Sequence, residues 1–307
     1  MKPRSTRPTG RPPGQARSLP RLLRVLRHID GHLDDDLDLD RLSGVAAFSK
    51  HHFHRRFAAL FGITVHRYVQ LMRLKRASYR LAFRDSPVLE IALDCGYEGP
   101  EAFARAFRRH LGQSPSGFRQ RPRWTSWQDA LQPLARIRTT HMPTDVPADA
   151  VTIVTVPATR VAVLEHRGDP ATIGDSLRRF IAWRKAAGLP PRLSATFNLF
   201  HDDPATTPPN AFRLGLGAAI GEDADPARLG LAEAGLVVAV IPAGRCARLR
   251  HTGTQEGLAR AADQLCRVWF PQSGETRRDF PLYAQRIAFF PDVPEHEAIT
   301  DLFLPLA

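Results

Sequence analysis

Two stretches fifty residues apart follow one design, and that duplication narrows the possible folds more than any other feature of the chain. The first is FSKHHFHRRFAALFGITVHRYV, from Phe48. The second is EGPEAFARAFRRHLGQSPSGFR, from Glu98. Phe53, Phe57 and Phe61 recur at i, i+4, i+8 in one, and Phe103, Phe107 and Leu111 do so in the other. Such a stripe is the buried side of an amphipathic helix. The outward faces carry His51, His54, Arg55 and Ala58, and Glu101, Ala104, Arg105 and Arg108. Each helix should stop at a glycine, Gly62 or Gly112. A Thr or Ser cap, Thr64 or Ser114, should then open the next helix, which carries an aromatic, Tyr68 or Phe118. A helical unit has been copied, and both copies offer a basic, short-side-chained face to a partner.

The charge says what kind of partner. The chain of 307 residues has a formal net charge of +12. Residues 1–124 hold 24 Lys and Arg against 11 Asp and Glu, and residues 125–307 hold 19 against 20. The basic character therefore belongs to the first part alone, as expected of a nucleic-acid module joined to a neutral one. A basic membrane-surface helix would leave its apolar face exposed rather than pair it into a duplicated core. The three cysteines, Cys95, Cys246 and Cys266, have no CxxC spacing, which points to a reducing compartment. No apolar run approaches the length of a membrane span and no leader-type apolar region opens the chain, so a cytoplasmic protein without membrane contact is expected. The Arg, Pro and Gly of residues 1–18 read as a disordered basic tail.

Along the chain, apolar residues at helical spacing predict a first helix over Leu19–Leu33. Asp38 should cap a second over 39–46, and a turn at Ala47-Phe48 leads to the helix beginning near Ser49: a helix-turn-helix. Residues 65–83 read as a long helix, 88–94 as a short one, and Cys95-Gly96-Tyr97 as the turn of a second helix-turn-helix. The set Ile91-Ala92, Gly96-Tyr97, Phe103, Arg105, Phe107, Gly112, Pro115 and Phe118-Arg119 resembles the signature of the AraC/XylS transcription regulators, over residues 21–121. That resemblance implies an all-α double helix-turn-helix domain, over 19–124, that binds double-stranded DNA. The second helix of each motif would enter a major groove. A 19-residue middle helix would rise roughly 28 Å, close to the roughly 34 Å of one DNA turn. The implied DNA-binding residues are Ser49, Lys50, His51, His54 and Arg55 in the first motif, and Glu101, Ala104, Arg105, Arg108 and Ser114 in the second. Arginine can grip guanine bidentately, and Glu101 can accept from a cytosine amino group. Arg55 and Arg105 have an alternative role, pairing with acidic groups on neighbouring helices. Ala47 stands where the family usually has Gly, and Pro100 where it has a polar contact.

Residues 125–150 read as a linker, with a short helix around 126–132. From 151 the chain duplicates again. PATRVAVLEHRG (157–168) matches PAGRCARLRHTG (242–253), and residues 196–220 match 282–306 without a gap. The expectation is an α+β domain over 151–307 built from two strand-helix-strand-strand units, making one antiparallel-rich sheet with a groove between the halves. The paired PAxR…H-x-G strands and the Asp202-Asp203-Pro204…Pro208-Pro209 turn resemble the GyrI-like effector-binding domain. In that domain a small molecule sits between the halves, often against a glutamate. Here Ala284 stands in the glutamate's place and Arg286 two residues on, so the resemblance implies an anionic or neutral aromatic effector rather than a cation. Trp183, Asn198, Phe200, Trp269, Tyr283, Ala284 and Arg286 are the implied ligand-binding residues.

The expected function is a sequence-specific DNA-binding transcription regulator with a small-molecule effector, and hence RNA polymerase as a partner. One alternative is a GyrI-like hydrolase fused to a DNA-binding domain, for which Glu165, His166 and His251 are the candidate acids and bases. Another is a ligand-independent architectural DNA binder. His166 and His251 occupy equivalent repeat positions, which suits a structural role better than a catalytic one. No catalytic residue, metal site or cofactor is expected.

Overall fold

The computed structural model describes residues 18–142 and 150–307. The expected tail, apart from Ser18, and residues 143–149 of the expected linker lie outside the described residues. The chain divides into two compact units, Met1–Arg73 and Leu74–Ala307.

The first unit holds α1 (Leu19–Gly31), α2 (Leu39–Ala46), α3 (Lys50–Phe61) and the start of α4 (Val65–Phe83). Leu22, Val25, Leu26 and Ile29 of α1 are fully buried. The Asp38 carboxylate caps α2 by accepting from the Arg41 N–H at 2.7 Å. Phe53, Phe57 and Phe61 of α3 are buried as the spacing predicts. Phe57 meets Phe61 edge-on at 4.7 Å between centroids and Tyr68 of α4 at 6.1 Å. Between α2 and α3 the chain turns through Ala47, which adopts the left-handed conformation at φ 53° and ψ 47°. A Cβ is disfavoured there by about 1–2 kcal/mol.

In the second unit, α5 (Val88–Asp94), α6 (Pro100–Leu111) and α7 (Pro115–Gln120) repeat the arrangement around buried Phe103, Phe107 and Phe118. The Ser114 hydroxyl caps α7 by accepting from the Gly117 N–H at 3.1 Å. The stretch expected to be a linker differs from its reading. An 18-residue helix, α8 (Trp124–His141), runs through it, with Trp124, Leu131, Leu134, Ile137 and Arg138 buried. Its inward stripe is Trp124, Trp127, Leu131, Leu134 and Arg138, a spacing of three and four residues. Pro133 within the helix and an arginine at a core position disguise that periodicity in the sequence.

The α+β part contains β1 (Val151–Val156), β2 (Thr159–Arg167), α9 (Ile173–Ala186), β3 (Thr196–Phe200), β4 (Arg213–Ala219) and one-turn α10 (Leu231–Ala234). Then come β5 (Val237–Ile241), β6 (Gly244–Thr252), α11 (Gln255–Asp263), β7 (Leu282–Ala288) and β8 (Ile299–Pro305). After α11 the helix continues through a π-helical stretch, Gln264–Trp269. The strands form one antiparallel sheet in the order β1-β6-β8-β7-β3-β4-β2-β5. Each repeat's leading strand crosses to the other repeat: β1 pairs with β6, and β5 with β2. The repeats meet at β3 and β7, where Asn198 faces its own repeat equivalent, Ala284. The pseudo-twofold axis therefore passes between those two residues. Period-2 alternation sorts the side chains. Leu164, Leu214 and Leu216 lie in one core with Phe180 of α9, and Leu249, Leu302 and Leu304 lie in another with Leu258 of α11. Val163, Phe197, Leu199, Tyr283 and Phe303 form a third core on the opposite face.

A buried charge cluster fastens α4 and α8 to the sheet domain. The Lys75 ammonium on α4 lies 2.7 Å from Glu295 and 3.9 Å from Glu256, and Arg138 of α8 lies 3.7 Å from Glu295. Burial alone would depress the Lys75 ammonium, but Glu295 and Glu256 outweigh it and raise its pKa. Burial likewise works against the Glu256 carboxylate, yet Lys75 and Arg138 help to hold it below its ordinary value.

Two stability changes follow. Ala47→Gly should stabilise the protein by about 0.5–1 kcal/mol, because the relief of the left-handed alanine exceeds the added unfolded-state entropy. Lys75→Met should destabilise it by about 3 kcal/mol, since it strands carboxylates away from water. Denaturant titrations at pH 7 measure both. No gain in the first variant, or a loss under about 1 kcal/mol in the second, contradicts these assignments.

Candidate functional site

In α3 and at its start, Ser49, Lys50, His51, His54 and Arg55 are all exposed. The buried phenylalanine stripe fixes the rotation of the helix, so these residues must point away from the core. Lys50 forms an exposed ion pair with Asp40 at 2.5 Å, an interaction worth little in water. In the second motif Glu101, Arg105, Arg108 and Ser114 are exposed and Ala104 is half-buried. Arg55 and Arg105 form no ion pair among the described residues, so the pairing considered as their alternative role is not made. Pro100 is the first residue of α6, where its missing N–H would have had no helical partner.

The second site is a cavity of about 780 Å³ within the Leu74–Ala307 unit. Its floor is the sheet face bearing Thr196, Asn198 and Phe200 of β3, Leu214 and Leu216 of β4, and Arg286 of β7. One side is α9, through Leu177, Phe180, Ile181 and Arg184. A second side comes from the helical part, through Tyr79 and Phe83 near the end of α4 and Trp124 and Trp127 at the start of α8, and a third from Phe289, Phe290 and Asp292 after β7. Trp124 is held firmly. Its indole N–H donates to the Asp175 carboxylate at 2.9 Å, and its ring stacks on Phe83 at 5.6 Å. The ring also lies directly on Gly174, where any Cβ would overlap the indole. Volume and an apolar lining with few polar groups suit a drug-sized molecule.

Arg184 is buried and donates to the carbonyls of Leu189 at 2.7 Å and Ser194 at 2.6 Å, and to the Thr196 hydroxyl. Burial, with no acidic group to oppose it, lowers its pKa to about 10. Arg286 is half-buried and donates to the Gln255 side-chain oxygen at 3.3 Å, and burial lowers its pKa too. Asp292, the carboxylate on the cavity wall, is held bidentately by Arg84 at 2.8 and 2.5 Å.

Of the residues expected to bind ligand, Asn198, Phe200 and Arg286 line this cavity. Ala284 is fully buried under α11, at the symmetry axis. Tyr283 belongs on the opposite face of the sheet, stacked on Phe303 at 5.0 Å, because neighbours along a strand cannot share a face. Trp183 is core, donating its indole N–H to the Leu229 carbonyl at 2.8 Å, and Trp269 packs against the second-repeat core. Arg184 and Thr196 line the cavity as well, and neither is among the residues expected from the sequence. Thr196 was recoverable, because it shares a strand face with Asn198 and Phe200. Tyr79, Phe83 and the two tryptophans of α8 carried no such signal.

The candidate acid-base groups sit elsewhere. Glu165 projects on the face opposite the cavity and pairs with Arg167. His166 bonds to the Ser176 hydroxyl at 2.9 Å and donates to the Asp169 carbonyl at 3.2 Å. His251 donates to the Thr254 carbonyl at 2.9 Å, and burial lowers its pKa. Both histidines therefore tie a strand end to the start of the following helix.

Comparison with known proteins agrees with this division. A family model described as a GyrI-like small molecule binding domain matches residues 149–307, and one described as a helix-turn-helix domain matches 42–121. The chain is 35% identical over 158 residues to the probable transcriptional regulator YgiV of Escherichia coli K12, covering 51% of this chain and 96% of YgiV. It is 31% identical over 107 residues to the right origin-binding protein of the same strain, covering 35% of this chain and 36% of that protein. The crystal structure of the EcmrR C-terminal domain aligns with 51% of this chain and 96% of its own, at 14% identity and a TM-score of 0.40.

Arg55→Ala and Arg105→Ala should each lower affinity for a selected duplex by about 1–3 kcal/mol and relax base preference at one position. Binding selections on both variants measure this. An equal loss on every sequence means phosphate contact only.

Proposed function

Because the chain belongs to the GyrI-like small molecule binding family and carries an AraC-type helix-turn-helix domain ahead of it, we propose that it is a ligand-responsive transcription regulator. It binds specific double-stranded DNA through α3 and α6 and takes an effector into the cavity described above. The observation that carries this reading is the composition of the cavity wall. Tyr79, Phe83, Trp124 and Trp127 come from helices that flank the second reader, and most of the remaining lining comes from the sheet domain. An effector that touches both can bias one against the other, which is the requirement for coupling. The DNA-binding set is Ser49, Lys50, His51, His54, Arg55, Glu101, Ala104, Arg105, Arg108 and Ser114. The ligand set is Asn198, Phe200 and Arg286 with the helical wall, and the effector is an anionic or neutral aromatic molecule. We propose the boundaries 19–124 and 151–307 for the two domains, with α8 as the connection. RNA polymerase is the further partner such a regulator requires, and the role is regulatory rather than enzymatic. No described helix is long and apolar enough to cross a membrane, and a DNA target supports a cytoplasmic location.

The full chain should bind a selected duplex with an affinity that falls steeply between about 50 and 200 mM salt, through counterion release. Saturating 8-anilinonaphthalene-1-sulfonate, as a cavity probe, should change that affinity. The duplex should change the probe's affinity by the same factor, as linkage demands. Fluorescence anisotropy and probe titration measure the two. No DNA binding at 50 mM salt overturns the regulator reading, and mutual indifference of probe and duplex overturns the coupling.

A further inference from the structure

The cavity is apolar over most of its wall, yet two guanidinium groups reach it without a carboxylate to balance either. Arg184 and Arg286 stand on either side of Thr196. Arg184 donates to the Thr196 hydroxyl, and Arg286 is the cross-strand partner of Thr196 on β7. Every bond that Arg184 makes is to a carbonyl or a hydroxyl, and Arg286 is bonded to the neutral amide of Gln255. Among the described residues, no Asp or Glu forms an ion pair with either one. The carboxylate on the cavity wall, Asp292, is already held by Arg84.

Removing one guanidinium from water without a counter-charge is unfavourable, and placing two in one apolar cavity adds their mutual repulsion. The protein's own symmetry makes Arg286 harder to dismiss as a packing residue. Its equivalent in the first repeat is Phe200, on the same floor, so an apolar side chain fits that position in the sheet. The strand itself therefore does not require a charge at position 286. The lowered pKa values of both arginines, caused chiefly by burial, agree with cations that lack an acidic partner.

We propose that the effector is an amphipathic organic anion: a carboxylate or similarly planar acidic head carried on an aromatic or bulky apolar body. The head lies against Arg286 and the Arg184–Thr196 edge, and the body lies between Phe180, Phe200 and Trp124. Arginine suits such a head because its planar fork can bond both oxygens at once. The head also supplies the missing counter-charge, so a neutral analogue of the same shape leaves the arginines uncompensated, and a cation adds to the repulsion. This inference rests on the reading of the cavity as the effector site and adds the charge of the effector to it.

Calorimetric titration of the full chain with three matched probes tests it: naphthalene-2-carboxylate, naphthalene-2-carboxamide, and a naphthylmethyl trimethylammonium. The carboxylate should bind about tenfold or more tighter than the carboxamide, and the ammonium weakest. Arg286→Met should remove that advantage, so that carboxylate and carboxamide bind alike. Gln255→Glu keeps Arg286 but gives it an internal counter-charge, and should lower carboxylate affinity about tenfold. The second variant decides the matter if Arg286→Met fails to fold. Equal binding of carboxylate and carboxamide, tighter binding of the ammonium, or a carboxylate preference that survives both variants overturns the anion and leaves the cavity reading standing. No binding of any probe by the folded full chain overturns the cavity reading, and the anion with it.

Discussion

Lys75 is a buried cation on a helix of the DNA-binding part, and its counter-charges, Glu295 and Glu256, are in the sheet domain. That pairing is the constraint on which the rest of the Leu74–Ala307 unit depends. An ammonium out of water requires carboxylates at contact distance, so α4 cannot move away from the loop before β8 without stranding charge. Arg138 of α8 meets the same Glu295, which brings the second connecting helix to the same point. The exposed pairs nearby, Arg84 with Asp292 and Lys185 with Asp85, add orientation more than stability.

The cavity exists because of this attachment. With α4 and α8 held there, Tyr79, Phe83, Trp124 and Trp127 cover a sheet face whose other neighbours are α9 and the loop after β7. Trp124 could not lie where it does if position 174 carried a side chain. A glycine on α9 is thus part of the same joint as a tryptophan on α8. The cavity is thus walled in part by the helices on either side of the second reader.

The sheet is nearly symmetric, and its chemistry is not. Asn198 pairs with its equivalent Ala284, and Phe200 has Arg286 as its counterpart across the axis. In the gapless repeat match, Pro209 of the first copy corresponds to Glu295 of the second. Duplication supplied two copies of one scaffold. The second copy carries the carboxylate that holds the helical part and the guanidinium that faces the cavity, while the first supplies Phe180, Phe200 and Arg184.

The helices of both reader motifs, their caps at Asp38 and Ser114, and the outward placement of Arg55 and Arg105 were legible in the sequence. They follow from periodicity and short-range hydrogen bonding, which act over a few residues. The repeat of the second domain was legible for the same reason, since a copied segment carries a copied pattern. Helix α8 was obscured by Pro133 and by Arg138 at a core position, where a polar residue breaks the expected stripe. Tyr283 was assigned to the ligand beside Ala284, although alternation along β7 sends the two to opposite faces. The Lys75–Glu295 pair spans 220 residues, and the aromatic wall of the cavity joins residues from α4 and α8 to others on β3 and β7. No local pattern records such meetings. Sequence by itself determined the elements and which way each one faces. Only the tertiary structure decided which buried charges neutralise one another, and which two arginines are left facing a cavity with nothing to neutralise them, because burial and charge compensation are properties of surroundings assembled from distant segments.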